Sequence, residues 1–128
     1  MVELLFVLAI IGILAGFILS SLNDARTSGI DAKIQTEMDA LSKRAEIEHA
    51  RFFTYDLVCG SNGVATSSVI FDILTSINGM ASSSATCNSS PGDYAVSVPI
   101  GGGHWCVDNT GSRKEIPATL APGQFSCL

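Results

Sequence analysis

No lysine or arginine precedes Arg26, no charge lies between Glu3 and Asp24, and no proline occurs before Pro91. A cleavable secretory signal opens on basic residues, carries an apolar core of roughly 7–15 residues and ends in an Ala-x-Ala-like site. The missing base, and the Ser20-Ser21-Leu22-Asn23-Asp24 that ends the apolar run, disfavour one here. Without proline, nothing in the first 90 residues forces a helix to break. Cysteines are few, at 59, 87, 106 and 127, and none forms the Cys-x-x-Cys pair of a zinc site. A formal net charge of −5 gives no general basic footprint for nucleic acid or acidic lipid. Aromatics make up only 7%, and no aromatic stripe argues for electron transport. The glycine run Gly101–Gly103 precedes a strand pattern rather than a helix, which excludes a phosphate-binding loop.

What is present begins with Leu4–Leu19, in which every residue is apolar or glycine. As a helix, Leu4–Leu22 would cover about 28 Å, close to the ~30 Å hydrocarbon core of a bilayer. Being apolar on every face, it cannot lie on one soluble core. It belongs in lipid or among copies of itself. Glu3 sits at its start, and an ionisable group at a bilayer centre costs about 2.5–3.5 kcal/mol, less near an interface. A plain anchor has no reason to carry it. Gly12 and Gly16 make a small-xxx-small spacing that lets helix backbones approach closely in apolar surroundings. Alternatively, Gly12 is a local weak point, since glycine costs about 1 kcal/mol in a helix interior.

The segment Met1-Val-Glu-Leu-Leu-Phe-Val-Leu-Ala-Ile-Ile-Gly-Ile-Leu-Ala resembles the N-terminus of mature type IV pilins and pseudopilins. Their usual pattern is Phe-Thr-Leu-Ile-Glu-Leu-Leu followed by an apolar run with Ile-Gly-Ile-Leu-Ala. Residue by residue the likeness covers Met1 to about Ala25; beyond that it is one of layout. It implies that Glu3 neutralises the N-terminal amine of a neighbouring subunit during assembly. Met1 falls where the third mature residue would stand, so the residue whose amine the family methylates is not in this sequence. Ser20 stands where many members carry proline, which implies a straighter segment around Gly16–Ser20.

After the anchor, about 100 residues suffice for one small domain. Ile30, Ile34, Met38, Leu41, Ala45, His49 and Phe52 recur at helical spacing, with charged residues, Glu48 among them, on the other sides. Glu3 to about Phe53 therefore reads as one long helix. Its first half, residues 1–22, is the membrane or filament-core segment, and residues 23–128 are the globular domain. Residues 56–92 read as a Ser-rich connection with one short helix. There Ile70, Phe71, Leu74 and Ile77 share a face, a Ser serves as N-cap, and Gly79 suits the C′ position. Asn88-Ser89-Ser90 fits the glycosylation pattern. Residues 93–128 read as antiparallel sheet: Tyr94–Pro99, His104–Asp108 and Arg113–Ile116, with turns between and an extended tail.

An even number of cysteines in a small exported domain reads as disulfides. Four allow three pairings; the closer sequential spacing favours Cys59–Cys87 with Cys106–Cys127. The fold class expected is α+β, a pilin fold: a long N-terminal helix packed on a small antiparallel sheet with two disulfides.

His49 and His104 lie in no nucleophile elbow or zinc motif, and no enzyme is read here. No cofactor is expected. Asp108-Asn-Thr-Gly111 is acidic and tight, and some pseudopilins bind calcium in this part of the sheet, which keeps calcium open. The reading implied is a major pilin that polymerises with copies of itself into an extracellular filament, of the kind that serves adhesion and motility. Before assembly it would sit single-pass in the cytoplasmic membrane. By resemblance its partners include a prepilin peptidase and the pilus assembly machinery; no specific nucleic acid is expected. The alternatives are a minor pilin or type II secretion pseudopilin, and, in a different class, a membrane-anchored binding module gripping ligand through the Trp105 sheet or the serine-rich loop.

Overall fold

The computed structural model describes residues 1–128. Helix α1 runs unbroken from Val2 to Phe52, about 76 Å at 1.5 Å per residue. It ends where Phe53 turns into the left-handed region (φ 57°) and its N–H donates to the His49 carbonyl. A single turn, α2 (Asp56–Cys59), and helix α3 (Ser68–Met80) follow, then strands β1 (Thr86–Ser89), β2 (Tyr94–Ile100), β3 (Gly103–Asp108) and β4 (Arg113–Ile116). The strands form one antiparallel meander in the order β1-β2-β3-β4. The molecule is α+β: a long N-terminal helix, a four-stranded sheet and two disulfides.

One side of the sheet carries Tyr94, Val96, Val98 and Val107 into the main core, where they meet Ile34, Met38, Leu41 and Ala45 of α1 and Ile70, Leu74 and Ile77 of α3. The other side is not open to water. Ala95, Cys106 and Ile116 are covered by Leu120 and Cys127 of the C-terminal tail, a second small core. Tyr94 to Val98 is consequently buried without a break, although side chains alternate between the two faces. At the β2–β3 turn a Cβ on Gly103 would lie 2.9 Å from the Ile116 carbonyl oxygen, so only glycine lets β4 close there.

Several sequence expectations are corrected. Thr86–Ser89, read as loop, is the edge strand β1, paired Thr86↔Ser97 through Ser89↔Tyr94. A four-residue polar segment has no periodicity to announce it; its partner β2 and the Cys59–Cys87 bridge hold it. Gly79 lies inside α3, which continues to Met80, and the helix stops at Ala81 in extended backbone. Ser67 is the N-cap residue, yet its hydroxyl donates to Glu48 rather than capping α3. Phe71 is 47% exposed, because α3 buries a narrower stripe than its four apolar residues suggest.

On α1 the buried stripe is likewise turned from the one expected. Phe52 is 54% exposed, and Glu48, placed on the polar side by sequence, is buried. Its carboxylate is held by Arg44 Nη2 at 2.6 Å and by the Ser67 hydroxyl at 3.2 Å, so the buried charge is paired and hydrogen-bonded. Nearby, the His49 ring stacks on Tyr55 at 4.1 Å, and the Tyr55 hydroxyl donates to Glu46 at 3.0 Å. Tyr94 donates to Ser42 at 3.2 Å, joining sheet to helix inside the core. Burial first, and then the Glu46 hydrogen bond, push the Tyr55 phenol up to about 12. Burial also raises Tyr94 to about 12.

Candidate assembly site

Between Met1 and Leu22, 15 large apolar side chains are exposed, and nothing in the chain packs on them. Burying each would be worth about 1.5–3 kcal/mol, a total on the order of tens of kcal/mol. That exceeds the net stability of a whole small domain, about 5–15 kcal/mol. This half of α1 is long and apolar enough to cross a membrane, and nothing within the chain covers it.

Two features interrupt the apolar surface. Glu3 lies in the first turn of α1, where the helix dipole favours a negative charge. It has no ion-pair partner within the chain, whose two pairs are Arg44–Glu48 and Arg113–Asp39. The first basic side chain, Arg26, is 23 residues on, about 34 Å along the axis. The second feature is a notch at Gly12 and Gly16. A Cβ at either position would meet nothing within 4 Å. Ile13, Phe17 and Ser20 complete the hollow. Ala9 and Ser20 extend the line of small residues, an extension that the i, i+3/i+4 spacing carries and a two-glycine motif misses. Nine residues at 100° each turn Gly12 by about 180° from Glu3. The charge and the notch thus address opposite sides of the helix.

The four cysteines form the pairs favoured by spacing. Cys59–Cys87 (Cα–Cα 5.5 Å) ties α2 to β1, and Cys106–Cys127 (5.8 Å) ties the tail to β3. They lie on opposite faces of the sheet: Cys87 is opposite Val96, which faces α1, whereas Cys106 is opposite Ser97. Together they fix both layers to the strands.

Asp108, the residue that kept calcium open, accepts four hydrogen bonds within the chain. Its Oδ1 accepts from the Thr110 N–H (2.9 Å), the Thr110 hydroxyl (2.6 Å) and the Ser112 N–H (3.1 Å), and Oδ2 accepts from the Cys127 N–H (2.8 Å). Burial pushes the carboxyl up, but these donors outweigh it and hold it below the usual aspartate value. The side chain organises the β3–β4 turn and anchors the tail. No group of three or more His, Cys, Asp or Glu residues is placed to hold a metal.

The Asn88 amide nitrogen, where a glycan would attach, donates to the carbonyls of Ala121 (2.8 Å) and Gln124 (2.9 Å). It pins the tail to β1, and a sugar there would replace one of the two donating hydrogens and so cost at least one of these bonds. Trp105 is half-buried at the floor of a shallow groove beside Gln35, Thr36, Asp39 and Lys43 of α1. His104 is half-buried on β3, with its Nδ1 unpartnered. Comparison with protein-family models, curated proteins and solved structures finds no match for this chain.

Proposed function

We propose that this chain is a structural subunit, a pilin, that polymerises through the apolar half of α1 into an extracellular filament. The observation that carries the reading is the exposed Val2–Leu22 surface with one unpaired carboxylate at its start. A permanent anchor needs the length and the apolarity; it has no use for Glu3.

Before assembly, the segment spans the cytoplasmic membrane and the disulfide-bonded domain lies outside. Lipid tails are as apolar as leucine, so moving the helix from lipid into a bundle of copies gains little hydrophobic energy. Close packing and polar pairing must drive association instead. Gly12 and Gly16 supply close approach on one side. Glu3, on the opposite side, supplies a charge that finds a positive partner on a neighbour, the N-terminal amine by resemblance. An unpaired carboxylate in that low-dielectric bundle is costly, which penalises wrong register. Two opposed contact sides let each helix touch more than one neighbour, as a helical polymer requires.

The test replaces Glu3. Glu3→Ala subunits should accumulate in the membrane with an intact domain and yield few filaments, and Glu3→Gln should behave alike because the charge is what is needed. Normal filament yield from both variants contradicts the mechanism.

A further inference from the structure

We infer that Asn62 is a self-modifying site, at which the chain converts its own asparagine to a mixture of aspartate and isoaspartate through a cyclic imide. The reaction needs the following residue's backbone nitrogen to reach the asparagine Cγ, and both groups must be free to move together. The chain has two Asn-Gly pairs, Asn62-Gly63 and Asn78-Gly79. The fold treats them in opposite ways.

Asn62 is exposed in the turn after α2, and its side chain makes no hydrogen bond. The Gly63 N–H donates to nothing: it is absent from both the backbone and the side-chain hydrogen bonds of this loop. Gly63 has φ +70°, with open space around it apart from the Cys87 carbonyl oxygen, 3.6 Å from where a Cβ would sit. Nothing ties down the nucleophile or the electrophile. Asn78 differs on every count. It and Gly79 lie within α3, so the Gly79 N–H is part of the helix ladder. The Asn78 Oδ1 accepts from the Ala85 N–H at 2.8 Å. Reaction there requires the helix to open first.

The chemistry balances without any cofactor. The deprotonated Gly63 nitrogen forms a bond to Asn62 Cγ, and the Cγ–Nδ2 bond breaks to release ammonia, which carries away the proton. Water then adds to either imide carbonyl and opens the ring, giving aspartate or isoaspartate at 62. Each event adds one negative charge to a formal net charge of −5. It does so in the loop closed by the Cys59–Cys87 bridge, beside a polar cleft lined by Gly60, Asn88 and Phe125.

The experiment incubates the full chain, oxidised and in zwitterionic detergent micelles, at neutral and mildly alkaline pH. It follows the mass gained when NH is exchanged for O, and fragmentation after reduction locates it. Asn62 should convert about tenfold or more faster than Asn78, since a helix-opening free energy of only about 1.4 kcal/mol suppresses a reaction tenfold. The rate should rise with pH, and Asn62→Gln should abolish the fast phase while leaving the domain folded. In the reduced, denatured chain the two sites should converge. Equal rates at Asn62 and Asn78 in the folded chain, or an unreactive Asn62 there, would overturn the inference.

Discussion

The two halves of α1 are one helix by hydrogen bonding and two different objects by environment. From Val2 to Leu22 no side chain is buried. From Ile34 to Glu48 six are: Ile34, Met38, Leu41, Ser42, Ala45 and Glu48. The second half is held by tertiary packing on α3 and the sheet, the usual source of helix stability in a domain. The first half has only intrinsic propensity and its own ladder, with no tertiary packing within the chain. Secondary structure alone therefore does not separate anchor from domain. The apolar pattern does, because an all-round apolar surface and a single stripe call for different solvents.

The sharpest way to break this comparison is to place one substitution in both halves. Leu41→Asp puts an unpaired charge into the core and should unfold the domain, a loss above about 4 kcal/mol. Leu8→Asp should leave the domain's denaturant midpoint unchanged and weaken insertion by about 2.5–3.5 kcal/mol. Urea titration of each variant in micelles, read by circular dichroism, distinguishes them. A similar midpoint shift for both would show that the halves are energetically coupled.

A smaller effect is expected from the disulfides, both of which lie in the packed region. Replacing either pair with serine should lower stability by about 2–5 kcal/mol, as for native bridges in small secreted domains. Membrane insertion of the first half should not change. Removing Cys106–Cys127 should also loosen the tail over Ala95 and Ile116, with Asp108 and Asn88 still holding it by hydrogen bonds.

Smaller again is Asp108→Asn, which keeps the shape but removes the charge and turns one accepting oxygen into an NH2 donor, so the bonds on one side of the group are lost. A loss of about 1.5–3 kcal/mol is expected, the range for bonds to charged groups. The pH dependence carries a sign. The folded carboxyl is held below its unfolded value, so its contribution is present above about pH 4 and is lost as pH falls through the lower folded value. Wild type should therefore lose stability on acidification more steeply than Asp108→Asn in that window. Parallel acid profiles would remove Asp108 from this role.

How much of this was legible in the sequence follows the same division. The apolar run, the unbroken length of α1, three of the strands and both cysteine pairs rest on strong local patterns or on spacing, and they stand as read; the stripe of the amphipathic half stands only in part. What escaped depends on contacts that local pattern does not encode. Glu48 looks like a surface residue until Arg44 and Ser67 close over it. Phe52 and Phe71 fit their helical stripes in spacing, but Phe52 lies in the last turn of α1, beyond its buried stretch, and Phe71 lies at the edge of the narrow stripe that α3 buries. β1 exists because β2 offers a partner edge. The second core could not be foreseen, since it depends on the tail crossing back over the outer sheet face. Asp108 was noticed for its charge; the Asx-type hydrogen bonds in its Asn-Thr-Gly-Ser turn were the better signal. At the candidate site, Glu3 and the glycines were visible at once, and their opposition across the helix follows from their spacing once the segment is taken as an unbroken helix.

The most direct test of the filament account is to shear surface filaments from cells that make this protein and take the intact mass of the main component. The account predicts a filament whose principal protein carries this chain, with four hydrogens missing for the two disulfides. Recovery of the chain wholly in the membrane fraction, with none in the sheared material, would contradict it and leave α1 as a permanent anchor.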